Sequence, residues 1–295
     1  MLFYRKKFLL AVIEAFGGSV EKIQFQKYVF LISNHLNKKY YSFVPYQYGC
    51  FSFESYNDIR SLIIAGYLLE DKKKWILGRN GNFLSEMDLQ DKEHILDIKK
   101  EYGAMSKQEL LYKIYSDYPY YAINSKIIQQ AGLNAREQKK IRSEKPKQIE
   151  KCLFTIGYEG RSIDKYLNIL IKNNIKILCD VRKNPLSRKY GFSKQSLKKR
   201  ITELNMQYLH IPNLGINSRL RKDLRTKQDY KDLFFLYEKE ILSSEESGLS
   251  EITMNLREKS RVALTCFEAE PEMCHRHCIS STLKKNNPNL KIKHL

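Results

Sequence analysis

The chain has 295 residues, 52 Lys and Arg against 33 Asp and Glu, a formal net charge of +19, and 42% hydrophobic residues with only 7 prolines. This composition excludes an intrinsically disordered chain and leaves room for two domains, and the cationic excess makes polyanions the natural partners. No apolar run is long enough to span a bilayer, no signal-peptide pattern follows Met1-Leu-Phe-Tyr-Arg-Lys-Lys, and the cysteines (Cys50, Cys152, Cys179, Cys266, Cys274, Cys278) are scattered, so a cytoplasmic chain with reduced thiols and no membrane partner is expected.

Apolar residues at Phe8, Leu9, Val12, Ile13 and Phe16 recur at helical spacing, which predicts a helix from Leu2 to Phe16 ended by Gly17-Gly18. A second helix follows from Lys22 to Leu36, and Phe43 to Gly49 reads as extended because Pro45 and the flanking aromatics disfavour helix. Ser52 caps a third helix that Gly66 stops. Leu68 to Leu77 then reads as two short strands around Lys72-Lys73-Lys74, and further helices are expected at Asp91 to Lys100, Lys107 to Tyr115 and Ser125 to Gln130. Three helices and a basic hairpin are the order of a winged helix. The stretch "FVPYQYGCFSFESYNDIRSLIIAGYL" resembles YwgA-like winged-helix domains, which implies a mainly α module over residues 1–133. Such a module serves DNA or protein partners alike, and the lysine turn beside Trp75 reads equally as an exposed turn or a nucleic-acid wing.

Asn134 to Lys151 carries Arg136, Lys139, Lys140, Arg142, Lys145 and Lys147 with few apolar side chains, so residues 134–151 are expected to form an exposed basic helix or linker. Beyond it the pattern alternates. Strands are expected at Leu153 to Tyr158, Ile175 to Val181, Gln207 to Ile211, Val262 to Phe267 and Leu290 to His294. Helices are expected at Ser162 to Lys172, Ser193 to Leu204, Tyr230 to Leu242, Ser250 to Lys259 and Glu272 to Lys285. Alternation of this kind implies an α/β, Rossmann-like domain over residues 152–295, with a mostly parallel sheet covered on both faces. Ligands of such sheets bind at the carboxyl ends of the strands, which puts the chemistry at the residues following each strand.

Tyr158-Glu-Gly-Arg-Ser162 follows the first strand, and its amides with Arg161 could hold an anion at a helix N-terminus, or the segment is simply a helix cap. It has neither the spaced glycines of a dinucleotide fingerprint nor a P-loop ending. The second strand ends in Asp180-Val-Arg182, and from Val181 to Thr202 there is no carboxylate among Arg182, Lys183, Arg188, Lys189, Lys194, Lys198, Lys199 and Arg200. A single-sign surface with Tyr190 and Phe192 interleaved suits phosphates and stacked bases, as does the basic loop from Arg219 to Lys231. A solvated helix face accounts equally well for Lys198 to Arg200.

"TIGYEGRSIDKYLNIL", "DVRKNPLSRKYGFSKQSLKK", "YLHIPNLG" and "CFEAEPEMCHR" together resemble the domain-of-unknown-function 488 family over Leu153 to Leu295. The resemblance implies a fold and a site but no reaction. It picks out Gly157, Arg161, Ser162, Asp180, Arg182, Pro185, Ser187, Arg188, His210, Pro212, Gly215, Cys266, Glu268, Cys274, His275 and Arg276. It also carries a suggested link to DNA modification or defence.

Within the last block, Cys274 beside His275 and Arg276 at a helix start is expected to have a lowered pKa and hence nucleophilic character. The spacing from cysteine to arginine of phosphatase and rhodanese loops is absent, however, because Ser280 lies six after Cys274 and Glu272 six after Cys266. Cys274, His275, His277 and Cys278 are metal-ligand types, yet one helical stretch cannot surround a tetrahedral ion without Cys266 or another distant ligand, so no metal ligand is assigned. The carboxylates make the stronger enzyme case. With the Ile175 and Val262 strands as parallel neighbours, Asp180 and Glu268 reach one sheet edge near His275, Arg182, Arg188 and Arg276, where they could activate water or hold a divalent metal; a buried ion-pair network is the plainer alternative.

The sequence therefore points to a nucleic-acid-directed hydrolase acting on a base, glycosidic bond or phosphodiester, with DNA favoured over RNA as the partner. Asp180, Glu268, His275 and Cys274 are the candidate catalytic residues, and Arg161, Arg182, Ser187, Arg188 and Arg276 the candidate phosphate-binding residues. The cofactor is unassigned, a divalent metal and a homo-oligomer stay open, and the alternative function is a non-catalytic nucleic-acid or nucleotide sensor.

Overall fold

The chain divides between Lys145 and Pro146 into two units in its computed structural model, which describes residues 2–36, 39–217, 220 and 224–295. The Arg219 end of the basic loop, with residues 218 and 221–223, lies outside the described residues. Among the described residues no helix is long and apolar enough to cross a membrane.

The first unit runs α1 (Tyr4–Ala15), β1 (Ser19–Glu21), α2 (Lys22–His35), β2 (Val44–Tyr46), β3 (Gly49–Phe51), α3 (Phe53–Ile64), β4 (Leu68–Glu70), β5 (Lys74–Leu77), α4 (Leu89–Tyr102), α5 (Lys107–Asp117) and α6 (Ala135–Ser143). Strand β5 pairs antiparallel with both β1 and β4, and β2 with β3. Strand β1 is absent from the sequence reading because three residues are too short to show a period. Trp75 of β5 is buried with its ring edge-on to Phe25 at 5.1 Å, while Lys72 to Lys74 stay exposed. The helix expected at Ser125 to Gln130 is replaced by a 3-10 turn, Ile128–Ala131, and another precedes it at Pro119–Ala122. Helix α6 takes up half of the expected linker: Asn134 and Glu137 cap it reciprocally, and Ile141 is buried.

The second unit runs β6 (Cys152–Gly157), α7 (Ile163–Lys172), β7 (Ile177–Asp180), α8 (Lys194–Glu203), β8 (Gln207–His210), α9 (Lys227–Tyr237), α10 (Glu246–Lys259), β9 (Arg261–Cys266), α11 (Arg276–Asn286) and β10 (Lys291–His294). Its mixed α/β architecture holds a five-stranded, wholly parallel sheet of order β10-β6-β9-β7-β8. Every residue of β6, β7 and β9 is buried, as continuous apolar strands covered on both faces require. Leu153, Ile177, Val262 and Leu264 pack with Phe234 of α9, Ile252 and Leu256 of α10, and Ile279 and Leu283 of α11. Burying such a side chain contributes about 1.5–3 kcal/mol. On the opposite face the Tyr166 hydroxyl of α7 donates to Thr265 Oγ1 at 2.7 Å.

Two boundaries differ where they matter. The helix expected from Glu272 begins only at Arg276: Pro271–Met273 forms a 3-10 turn, Cys274 is extended (φ −141°, ψ 137°), and His275 precedes the helix. Helix α10 starts four residues earlier than its apolar period suggested, at Glu246.

Residues 144, 145 and 147–151 are all exposed, and Ile149 is 83% accessible. Trypsin is expected to cut first after Arg142 or Lys147 and to leave a resistant fragment ending at Leu295. Mass spectrometry of a timed digest checks this, and early cuts inside β6 to α11 would contradict it.

Candidate functional site

Parallel pairing brings four strand ends to one edge: Gly157 lies opposite Cys266, and Asp180 opposite both Thr265 and His210. Asp180 is fully buried there. One of its oxygens accepts from Arg182 Nε (2.7 Å) and the Arg182 backbone N–H (3.2 Å), the other from Arg182 Nη2 (2.5 Å) and the Tyr208 hydroxyl (2.6 Å). Arg182 Nη1 donates to the Tyr158 hydroxyl (3.0 Å) and the Phe192 carbonyl (2.9 Å). Burial alone would lower the Arg182 pKa, but the hydrogen bonds and charge of Asp180 outweigh it and raise the net value. The Tyr208 hydroxyl is pushed up by burial and then by the Asp180 charge.

A carboxylate has about four acceptor positions, and all four on Asp180 are occupied. The expectation that Asp180 works as an acid or base is therefore corrected: it anchors Arg182. Arg182 is corrected with it, because four of its five N–H donors serve the protein, although its edge still lines the pocket.

The loop after β9 is fixed the same way. Arg276, fully buried, donates from Nη1 to the Glu268 carbonyl (2.5 Å) and from Nη2 to the Ala269 carbonyl (2.7 Å). The Tyr158 and Glu159 amides donate to the Phe267 carbonyl at 3.0 and 2.8 Å. Arg276 is thus a loop fastener and not a phosphate ligand. Arg161 lies apart from the pocket walls, where its Nη2 donates to the Leu295 carbonyl at 3.1 Å beside β10.

Cys274, His275 and Cys266 converge behind this loop, all buried. His275 Nε2 lies 3.0 Å from the Val181 carbonyl, which can only accept, so Nε2 carries the proton and Nδ1 presents a lone pair. That Nδ1 is 3.8 Å from the sulfurs of both Cys266 and Cys274, and the three ligand atoms lie within 4.8 Å of one another. The Cys266 thiol donates to Glu268 Oε2 at 3.2 Å. Burial, then Cys266, then the Glu268 charge push the Cys274 thiol up, against a smaller opposing effect of Arg276. The expected lowered pKa is thereby overturned, because Cys274 sits in extended backbone in the interior and not in the first turn of a helix.

In front of the cluster is a pocket of about 460 Å³. Its walls include Tyr158, Arg182, Lys183, Ser187, Arg188, Lys189, Cys266, Phe267 and His275. Of the residues expected from the sequence it gathers Arg182, Ser187, Arg188 and His275; Asp180, Cys274 and Arg276 are buried behind it, and Glu268 is half-buried beside it. Sequence reasoning gave no site role to the wall residues Tyr158 and Phe267, and Lys189 only a place in the basic run. Tyr158 stacks on Phe192 at 4.3 Å, Lys189 Nζ donates to the Tyr158 carbonyl at 2.9 Å, and Phe267 is exposed. Phe267 was expected inside the Val262 to Phe267 strand, but that strand ends at Cys266 and leaves the ring exposed.

Residues 162–283 match the family model described as Domain of unknown function DUF488. No curated protein and no solved structure matches the chain.

Replacing Asp180 by Asn strands the buried Arg182 guanidinium, and the second unit is expected to lose about 3–5 kcal/mol in urea denaturation, whereas Asp180→Leu with Arg182→Leu should recover part of that loss. A loss below about 1 kcal/mol for Asp180→Asn, the range of an exposed pair, would remove the anchoring role.

Proposed function

The second unit carries a DUF488 domain, whose description names no activity, and from its pocket we propose that the protein is a nucleic-acid-directed hydrolase. The supporting observation is the wall chemistry. Lys183 and Arg188 are exposed on one side with Lys189 between them and the aromatic pair, Phe267 is exposed on the other, and the Cys266–His275–Glu268 cluster lies at the base. Lysine and arginine at a rim bind phosphate by charge and by charge-assisted hydrogen bonds, and an exposed phenyl ring offers a stacking face to any base. With Asp180 fully engaged, Glu268 takes the acid–base role alone, as a half-buried carboxylate beside the pocket. The net charge of +19 supports a polyanionic substrate.

The first unit adds a second contact surface to this reading. The order α1, β1, α2, α3, β4, β5, with β1 pairing on β5 and the β2–β3 hairpin inserted between α2 and α3, is compatible with a winged helix, and Lys72 to Lys74 form its exposed turn.

A sensor that binds without turnover is favoured by one observation: Asp180, the other carboxylate at the sheet edge, has no acceptor position left for a reacting group. The two readings separate on Glu268→Gln. In a hydrolase this variant keeps binding and loses rate, and in a sensor binding is kept and neither chain turns substrate over.

Binding to labelled DNA and RNA oligonucleotides is expected to weaken with salt, with a log–log slope of about −0.7 to −0.9 per phosphate contact. Arg188→Ala should reduce the magnitude of that slope by about one contact. Products are read by mass spectrometry with and without divalent metal. Absence of binding at low salt, or indifference to salt, would remove nucleic acid as the substrate.

A further inference from the structure

We propose that Cys266, Cys274 and His275 form a three-ligand zinc site whose fourth position opens to the pocket. This inference stands on the geometry of the cluster, independently of the nucleic-acid reading. Zinc bonds of about 2.3 Å to sulfur and 2.0–2.1 Å to imidazole nitrogen, at tetrahedral angles, separate neighbouring ligand atoms by about 3.6–3.8 Å. His275 Nδ1 is 3.8 Å from each sulfur, and all three atoms lie within 4.8 Å, so small side-chain rotations close the set.

The backbone prepares each ligand differently. Cys266 is the last residue of the central strand β9, Cys274 is held extended before α11, and His275 precedes that helix. The second imidazole nitrogen is occupied by the Val181 carbonyl, which fixes the ring and its tautomer as outer partners of metal-bound histidines do. Two thiolates and an imidazole form a soft to borderline donor set that suits zinc and not magnesium or calcium. His277 and Cys278 of α11 are not part of this site: Cys266 supplies the distant ligand, and His277 Nδ1 pairs with the Cys274 carbonyl at 2.7 Å.

The open position has a direction. Cys266 and His275 line the pocket, so a fourth ligand arrives from there as water or a substrate oxygen, the arrangement of catalytic rather than structural zinc. Glu268 Oε2 accepts from the Cys266 thiol at 3.2 Å, and zinc entry removes that proton and with it this hydrogen bond. Metal entry displaces the two thiol protons to solvent and forms two zinc–sulfur bonds and one zinc–nitrogen bond, with no change of oxidation state.

The test uses the full chain and the metal alone. Inductively coupled plasma mass spectrometry of the purified protein is expected to find one zinc ion per chain. After removal by chelator, cobalt(II) should produce a thiolate-to-cobalt absorption band that zinc abolishes. Cys266→Ser and Cys274→Ser should each weaken zinc binding by roughly tenfold or more, while Cys278→Ala keeps it. Because a cysteine variant can fail for lack of folding, circular dichroism accompanies each, and the cobalt spectrum of the unmodified chain decides by itself. No retained zinc together with no thiolate band overturns the proposal, as does a band that persists in both cysteine variants. Zinc bound through these residues in a chain that binds no nucleic acid would sustain this inference and end the other.

Discussion

The buried pair of Asp180 and Arg182 is the constraint on which the pocket depends. Placing two charges in the interior costs several kcal/mol per ion, and their attraction offsets this only where the surrounding hydrogen bonds are complete. Here they nearly are: four contacts reach the carboxylate, and the guanidinium also reaches Tyr158 beyond β6 and Phe192 before α8. The carbonyls between and after the two charges hold the histidines, Val181 for His275 and Arg182 for His210. One ion pair thus sets the positions of groups from three strands and two loops. A hydrophobic substitute could match its stability but could not aim those hydrogen bonds.

Arginine is used in this domain chiefly as an internal fastener. Arg182 and Arg276 are buried with their forks on protein acceptors, and Arg161 reaches the last carbonyl of the chain. The planar five-donor fork explains the choice, because one side chain can tie two carbonyls or both oxygens of a carboxylate. Lysine, a compact charge on a flexible stem, is left for the rim at Lys183 and Lys189. The division is incomplete, since Lys189 Nζ also ties the Tyr158 carbonyl at 2.9 Å and the exposed Arg188 stands at the rim.

The parallel sheet was legible because Leu153 to Tyr158, Ile175 to Val181 and Val262 to Phe267 are apolar runs separated by amphipathic helices, and nothing but a sheet covered on both faces accommodates them. That sheet also implied that residues after β7 and β9 share an edge, as they do. The roles of the arginines were not legible, since an arginine that grips phosphate and one that ties a buried loop are the same letter, and only burial separates them. Cys274 was misread for a similar reason: apolar spacing at Ile279 and Leu283 extends a helix backward, but Pro271 starts a separate 3-10 turn and the chain straightens before α11. Cys266 was within reach only as one of the distant ligands that a single helical stretch would need to complete a set.

Two glycines show how tightly the walls are hung. A Cβ on Gly157 would stand 1.7 Å from the Glu268 carbonyl oxygen, and one on Gly215 would stand 2.2 Å from the Lys183 amide nitrogen. Neither obstacle is a flexible side chain; both are backbone, so no rotamer change relieves them. The first contact presses the β9 loop against the end of β6, where Arg276 and the Tyr158 and Glu159 amides then hold it. The second presses the Pro212–Leu214 turn against the segment that carries Lys183 and Arg188. Both walls of the pocket are therefore positioned by main-chain contact, and the Cys266–Cys274–His275 cluster lies at the base of what they enclose. Substitutions at the rim can change what the pocket attracts, whereas a methyl group at either glycine would change what the pocket is.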